Sequence, residues 1–322
     1  MTQTSIEYPQ WVEHQPVASI GTGGPIEFLL PGSGDDYLDL ANTYLFVRAR
    51  VLKGDGGRLP AAAPVGPVNN WMHSLFSQFD VSLNRTLVTP STNTYAYRAY
   101  IETLLSHGAA KNSQLTSALW YKDTAGHMDA TDNENEGLLK RKDYTTGSRI
   151  VDMMGRLHVD LFFQDRYLLN GVDVKIRLVQ SKNAFALMAG GDNPDYKISI
   201  DEAVLFARKA KLNPAVQMGH VKALEKGTAK YPLRRVHCKG KMFQDEGNDI
   251  TRQDFAEGYT LFAFDITPDC CDGPHFNFEH KGNLRVEMHF DEPLEQTVNV
   301  VVYGEFESVL EIDRNRNVVY DY

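Results

Sequence analysis

The chain has little of what marks secreted and membrane proteins. Only 3 of its 322 residues are cysteines, too few for a disulfide framework, and this count is typical of a reducing compartment. No run of about 18 apolar residues occurs, so we predict no membrane span. Residues 1–10 have neither the basic stretch nor the apolar core of a signal peptide. We therefore expect a protein that is not secreted and has no membrane-spanning helix.

Positive charge is also scarce. The chain has 33 Lys and Arg residues against 42 Asp and Glu residues, a formal net charge of -9 at pH 7. Proteins that coat nucleic acids draw their affinity from cationic contacts with phosphates, so we expect weak contact with nucleic acid at most. One short basic cluster, Lys140, Arg141 and Lys142, has two interpretations. It is either a solvated turn or a candidate contact with packaged nucleic acid or the import machinery.

Catalytic and metal-binding motifs are missing as well. The sequence contains no G-x-S-x-G, H-E-x-x-H or C-x-x-C motif. The nearest approach to a zinc site is Cys270 and Cys271 with His275 and His280, but adjacent cysteines do not easily chelate one ion together. The acidic stretch 129–137 departs from the spacing of a calcium loop. We predict no enzyme activity, no metal and no cofactor, and we expect His158 and His289 at the surface or in an interface.

Period-two alternation of apolar and polar residues is the dominant pattern. In residues 44–51, Leu45, Val47, Ala49 and Val51 fall on one face of a predicted strand. Further strands are predicted at residues 79–83, 157–163, 172–178, 196–200, 204–208, 233–238, 259–265, 284–290 and 298–306. Many short alternating strands joined by loops favour a β-sandwich or a jelly roll.

Turn and helix signals separate these strands. Asn170 and Gly171 lie between two of the runs and are typical of a hairpin turn. Helices are predicted at 92–107, at 113–122, and from Pro214 towards Leu224 with Asn213 as N-cap. The first helix has one apolar stripe, formed by Tyr97, Tyr100, Ile101, Leu104 and Leu105. Long polar loops are predicted at 54–67, 126–147 and 246–258.

The number of strands indicates two domains. A jelly roll needs eight strands, and the chain offers more than that. The strand pattern gives way to a capped helix near residues 210–213, so we predict a first roll in residues 1–210 and a second roll in residues 211–322.

Large apolar side chains without any catalytic group are concentrated in residues 65–105. We treat five aromatic residues there as candidates for a subunit interface: Trp71, Phe76, Tyr95, Tyr97 and Tyr100. Tyrosine is favoured where one end of a side chain is buried and the other is wet. Packing in the core of a single subunit is the alternative for these residues.

Several blocks of the sequence carry a resemblance to a known family. They are Tyr37-Leu38-Asp39-Leu40, Thr43-Tyr44-Leu45, residues 65–70, 73–78 and 93–103, Gly282-Asn283-Leu284-Arg285, and residues 298–321 with Glu305-Phe306-Glu307 and Ile312-Asp313-Arg314-Asn315. These blocks resemble the hexon-like capsid protein of Polinton-type elements and adintoviruses. The resemblance implies a double jelly-roll subunit in the virion, made in the host cytoplasm or nucleus. It also implies homotrimers that tile an icosahedral shell with penton and other capsid proteins, and no catalytic residues.

The chain departs from that family at one place. Family members have a long segment with further strands where Cys238-Lys239 is joined directly to Gly240 here. Residues 231–322 then supply about four strands, too few to close a second roll. We therefore predict an all-β double jelly roll with short inserted helices, an internal deletion and an incomplete second roll. Such a deletion leaves unpaired sheet edges and an exposed apolar face.

Three other functions stay open at this point. The first is a jelly-roll module that binds carbohydrate or peptide. The second is an endogenised remnant of a capsid gene that no longer assembles. The third is a cupin-like metal oxygenase, which needs two or three histidines and a carboxylate converging inside the barrel, although the sequence has no H-x-H pair.

Overall fold

The structure is a computed structural model in which short antiparallel strands predominate. It describes residues 5–21, 23–32, 34–108, 111–191, 194–234, 249–264, 285–294, 298, 300–304 and 306–320. The strands in these residues are β1 (Ile6–His14), β2 (Ile26–Leu30), β3 (Asp36–Lys53), β4 (Val65–Pro67), β5 (Phe76–Leu83), β6 (Thr86–Leu87), β7 (Val151–Arg156), β8 (Val174–Gln180), β9 (Leu187–Ala189), β10 (Tyr196–Leu212), β11 (Ala229–Arg234), β12 (Glu307–Ile312) and β13 (Val318–Tyr320).

Short helices are inserted between the strands. They are α1 (Trp71–Ser74), α2 (Tyr95–Ser106), α3 (Lys111–Gln114), α4 (Glu136–Thr145), α5 (Asn183–Ala186), α6 (Pro214–Leu224) and α7 (Arg252–Ala256). The predicted helices at 92–107 and after Asn213 are confirmed by α2 and α6. The Asn213 side chain accepts a hydrogen bond from the Ala215 amide at 2.9 Å, as an N-cap residue does.

Eight strands form one complete roll. One sheet has the order β1-β10-β3-β7 and the other has the order β2-β8-β5-β6, with antiparallel neighbours throughout. The first strand of the roll, β1, pairs with the last, β10, and the second, β2, pairs with the last but one, β8, so the two ends of this part of the chain lie beside each other. This nesting is the two-Greek-key connection of a jelly roll.

The core lies between the two sheets, where period-two alternation places the apolar side chains. In β3, Leu45, Val47, Ala49 and Val51 are at most 1% exposed, and the residues between them face outwards. The same alternation buries one face of β5 and of β8. Burial of each Val or Leu side chain stabilises the folded chain by about 1.5–3 kcal/mol relative to leaving it exposed. The alternation predicted for residues 44–51, 79–83 and 172–178 is therefore confirmed.

The strand predicted at 157–163 is wrong. β7 ends at Arg156, and Asp160–Phe162 forms a 3-10 turn, although Leu157 and Leu161 are buried. The chain passes from one sheet to the other here, and residues 157–162 are all buried without a partner strand. Since β7 and β8 belong to different sheets, Asn170 and Gly171 form a turn and not a hairpin.

One helix prediction and three loop predictions also change. The predicted helix at 113–122 breaks into α3 and the 3-10 turn Thr116–Ala118, which ends at Leu119 with φ 58°. The predicted loop at 126–147 contains α4, whose N-cap Asn135 accepts a hydrogen bond from the Leu138 amide. The predicted loops at 54–67 and 246–258 contain β4 and α7.

The C-terminal third begins a second sheet. Strands β11, β12 and β13 pair in that order, and Tyr231, Leu310 and Ile312 join the main core. The sheet is fastened to the end of the roll: the Tyr231 hydroxyl lies 3.1 Å from the Leu169 amide, and Arg316 Nε donates to the Asn170 carbonyl at 2.6 Å.

The remaining strands predicted for this third are not paired. The described residues within 259–264, 285–290 and 298–306 lie outside any strand, so those predictions are wrong for these residues. Alternation makes a segment suitable for a sheet, but a strand also needs a neighbour that offers hydrogen bonds. β11 extends into the predicted strand 233–238 as far as Arg234, where the described part stops. The domain boundary at residue 210 stays a prediction.

Candidate assembly surface and a buried polar network

The structure separates the five candidate interface residues into two groups. Trp71, Phe76 and Tyr95 are buried inside the subunit, so they belong to its core and do not reach a partner. Tyr97 is 43% exposed, and Tyr100 is half-buried. Of the five candidates, Tyr97 and Tyr100 on α2 are therefore the ones that a partner could reach, and the interface itself stays a prediction.

The outer side of α2 presents an aromatic pair. The rings of Tyr97 and Phe185 meet edge to face, with centroids 5.4 Å apart, and both side chains are exposed. Tyr100 points towards a small second core, where its ring lies 5.4 Å from Trp120. Burial raises the pKa of the Tyr100 hydroxyl, so this phenol stays protonated at any ordinary pH.

The buried face of α2 differs from the predicted stripe. Glu102 and Thr103 are buried together with Tyr95 and Leu104, whereas Tyr97 of the predicted stripe faces outwards. The Glu102 carboxylate faces inwards because polar side chains in the interior bind it. We call these side chains the α2 network: His73, Tyr95, Arg98, Glu102, His158 and Asp160.

Two histidines lie at the centre of the α2 network. His73 Nδ1 lies 3.0 Å from the Tyr95 hydroxyl, and His158 Nδ1 lies 2.7 Å from Glu102 Oε2. The two imidazole rings meet edge to face, with centroids 4.6 Å apart. His158 is buried, which corrects its expected surface position, whereas His289 is largely exposed.

Ion pairs close the α2 network. Arg98 donates to both oxygens of Asp160, at 2.7 and 3.2 Å, and its Nε donates to Glu102 one turn along the helix. The Tyr303 hydroxyl donates to the same Glu102 oxygen at 3.1 Å. The network therefore joins α1, α2, the turn after β7 and the C-terminal segment.

Burial and charge set the protonation states in the α2 network. Burial and the neighbouring His158 hold the pKa of His73 well below its usual value of 6.5. Burial alone would raise the pKa of Glu102, but its hydrogen bond with His158 and the charge of Arg98 outweigh that effect and lower it. Glu102 is thus ionised and His73 neutral at pH 7. The acids and bases that converge here bind one another.

The basic cluster is divided by the fold. Arg141 is completely buried and donates to the carbonyls of Pro67 and Tyr121, at 2.9 and 2.6 Å, and to Asp123 Oδ1 at 2.6 Å. Lys140 is exposed and Lys142 is half-buried. A basic contact with a partner is thus limited to the two lysines. A helix prediction for residues 136–145 would have shown that Arg141 is buried, because Leu138, Arg141 and Thr145 share one face of α4.

Apolar side chains are exposed in the C-terminal segments. Val286, Met288 and Phe290 alternate with Arg285, Glu287 and His289, and the charged set is paired along its own face. The exposed apolar side chains in this part of the chain include Phe262, Phe264, Val286, Met288, Phe290, Val298, Val300, Val302 and Phe306, which are 47–82% exposed. These segments have the composition of core strands, but their described apolar side chains are exposed to solvent.

The described ranges contain neither a cluster of metal-binding side chains nor a membrane-spanning helix. No group of three or more His, Cys, Asp or Glu side chains is placed to hold an ion there. Cys270, Cys271, His275 and His280 lie outside the described residues. Among the residues with described positions, no helix is both long and apolar enough to span a bilayer.

One pocket of about 400 Å³ lies between α6, β11 and the end of the roll. Two of the tyrosine hydroxyls that line it have partners within the chain: the Tyr37 hydroxyl lies 3.1 Å from His220 Nδ1, and the Tyr231 hydroxyl donates to the Tyr167 carbonyl at 3.2 Å.

Comparison with known proteins gives one relative in sequence and several in structure. No family model matches the chain. An uncharacterized protein of Caenorhabditis elegans is 22% identical over 422 residues, covering 99% of each chain. A chain in the cryo-EM structure of the Sputnik virophage is 12% identical with a TM-score of 0.52, over 73% of this chain and 52% of that one. The Faustovirus major capsid protein is 10% identical with a TM-score of 0.44, over 73% and 59%.

The likeness to the virophage chain is one of fold. This chain spans about half the length of that virophage chain, and at 12% identity the match carries no residue-level role. The two four-stranded sheets and the few short helices agree with it. The fold class predicted from the sequence, an all-β jelly roll of the double jelly-roll type with short inserted helices, is thereby confirmed.

Proposed function

We propose that the chain is a viral structural protein, a hexon-like capsid subunit that associates into pseudo-hexagonal homotrimers of an icosahedral shell. One observation carries the proposal: the strand order of a complete jelly roll, followed directly by a second sheet. The virophage chain with the same fold supports it. A subunit of this kind acts through its shape and its contacts.

The α2 network supports a structural role over a catalytic one. Its acids and bases are buried and bound to one another. In the described residues nothing matches the convergent histidines and carboxylate of a cupin-like oxygenase. The protein in this proposal is not an enzyme and needs no cofactor.

The proposed relatives are the capsid proteins of Polinton-type elements and adintoviruses, because the sequence blocks named above resemble those proteins. The proposed partners are further copies of the chain, a penton protein and other capsid proteins. The proposed location is the virion, after assembly in the host cytoplasm or nucleus. Lys140 and Lys142 are the basic residues that remain available for a weak contact with nucleic acid.

An internal deletion in the second roll belongs to the proposal. The alignment with the Caenorhabditis elegans protein runs over 422 positions, whereas this chain has 322 residues, so at least 100 positions have no counterpart here. The exposed apolar segments around Phe290 and Val300 are what a roll leaves behind when it loses the strands that cover them.

A second candidate is a capsid gene copy that no longer assembles. Two observations favour it: the sequence relative comes from an animal and not from a virus, and the C-terminal apolar side chains are uncovered. In this case the first roll folds, but the incomplete second roll prevents a stable trimer.

Mass photometry and electron microscopy separate the two candidates. The native chain is compared with a chimera that carries the unmatched segment of the Caenorhabditis elegans protein after Lys239, each alone and mixed with a penton protein. Trimers of the native chain at micromolar concentration support an assembling capsid subunit. Trimers of the chimera alone support the remnant. A strict monomer in both overturns the capsid proposal and favours a jelly-roll binding module.

A further inference from the structure

We propose that the α2 network is an acid-sensitive clasp, which holds α2 and the C-terminal segment around Tyr303 on the roll and opens when His73, buried against the His158 ring, takes up a proton. The proposal does not rest on the function proposed above, because it concerns contacts inside one chain.

The geometry brings two titratable rings into direct contact. His73 is presented by α1 and His158 by the turn after β7, and their rings meet edge to face at 4.6 Å. From α2, Tyr95 faces His73 and Glu102 faces His158. From β7, the backbone of Gly155 faces His73 Nε2, which lies 3.5 Å from the position that a Cβ would take there. Phe163 lies beside His158, with ring centroids 6.0 Å apart.

The anions of the α2 network lie beside His158 and Arg98 and not beside His73. Glu102 Oε2 contacts His158 Nδ1 at 2.7 Å, and Arg98 binds both Glu102 and Asp160. A proton on His73 instead meets the neutral hydroxyl of Tyr95 and the backbone of β7. The charge that it adds is buried against the His158 ring, with no carboxylate among these contacts to compensate it.

The sign of the pH dependence follows from these contacts. The pKa of His73 in the folded chain lies well below 6.5, its usual value when unfolded, so the unfolded state binds more protons as the pH falls. The stabilisation is complete above about pH 6.5 and is lost progressively below it. The lowered pKa of Glu102 acts in the same direction at lower pH, because its contribution is lost as the pH falls through the folded value.

Opening of the clasp would free a definite part of the chain. Arg98 and Glu102 hold α2 to Asp160 and to the Tyr303 hydroxyl. The neighbours of Tyr303, Val300, Val301 and Val302, are already 47–57% exposed. We therefore expect the first regions to open in acid to be α2 and residues 300–304, ahead of β3 and β8 in the centre of the sheets.

Hydrogen exchange of the full chain tests the clasp. Exchange is followed by mass spectrometry at pH 7.5 and 5.5, after correction for the intrinsic rate at each pH. We expect protection of α2 and of residues 300–304 to fall at least about tenfold more than that of β8 at pH 5.5. His73→Phe keeps a ring in place but cannot take a proton, so it should keep its protection in acid. The matched control, His127→Phe at an exposed position, should behave as the native chain.

The clasp is overturned if His73→Phe and the native chain lose protection equally at pH 5.5. Should the variant fail to fold, NMR titration of the His73 ring in the native chain decides the matter. A folded-state pKa well below 6.5, with α2 exchange rising as the ring titrates, supports the clasp. A pKa at or above 6.5 contradicts it, because the ring would then accept its proton without strain.

Discussion

Arg141 is a charged side chain that holds three parts of the chain together. Its guanidinium binds the carbonyls of Pro67 and Tyr121 and the carboxylate of Asp123. Arginine suits this place because its planar fork of donors reaches several acceptors at once while keeping its charge. Such a residue in the middle of a basic triplet is a structural link and not part of a basic surface.

Replacement of Arg141 should destabilise the fold strongly. Arg141→Met leaves the carboxylate of Asp123 buried without its partner, which costs about 3–5 kcal/mol of unfolding free energy. Urea denaturation followed by tryptophan fluorescence measures this loss. Lys140→Met, next to it but exposed, is the matched control and should change stability by about 0.5 kcal/mol or less. Similar losses in the two variants would mean that the buried contacts of Arg141 do not stabilise the chain.

At the scale of elements, α2 shows how far a sequence pattern reaches. The spacing of its apolar residues predicted a helix at 92–107, and the helix spans Tyr95–Ser106. The same pattern predicted the wrong buried face of the helix, because the predicted stripe includes Tyr97 and leaves out Glu102. The face was decided by His158 and Asp160, which lie more than fifty residues further along the chain. No local pattern contains that information.

The exposed aromatic pair formed by Tyr97 on α2 and Phe185 on α5 is where substitutions should weaken contacts between subunits. Tyr97→Ala combined with Phe185→Ala removes two exposed rings, so we expect trimers to dissociate at a protein concentration about tenfold higher, while the melting temperature falls by only a few degrees. Sedimentation velocity and calorimetry measure the two quantities. Leu29→Ala, another exposed apolar residue, is the control. A large fall in melting temperature with unchanged association would return the pair to the core of the subunit.

On the scale of the whole molecule, the chain is asymmetric. Residues 6–212 contribute eight strands to a closed roll, whereas β11, β12 and β13 form an open sheet that leans on the roll through Tyr231 and Leu310. The C-terminal apolar segments are left at the surface. Exposed apolar side chains in this number are typical of surfaces that associate with other proteins.

Restoring the missing strands should improve solubility. We expect a chimera with the unmatched segment of the Caenorhabditis elegans protein after Lys239 to remain soluble at a concentration several-fold above that of the native chain, because the exposed apolar side chains gain cover. Static light scattering over a concentration series measures this. A Gly/Ser insert of equal length is the control for the added residues. Equal solubility of all three chains would mean that the shortened second roll needs no cover.

The amino-acid sequence by itself determined several strands of the roll and the classes of function that we expect. Strands such as 44–51 and 172–178 follow from a period of two, which places Val47 and Ile176 on a buried face whatever the partner strand is. Net charge and cysteine count follow from composition, and missing motifs follow from the order of residues, so none of them depends on the fold.

The tertiary structure alone decided which strands pair, which face of α2 is buried, and that Arg141 and His158 lie inside. Each of these depends on contacts between residues far apart in the chain, such as Arg98 with Asp160 or Tyr303 with Glu102. The free energy of a buried charge is set by the partner that reaches it in three dimensions. That partner is chosen by the packing of the whole roll, and no neighbourhood in the sequence specifies it.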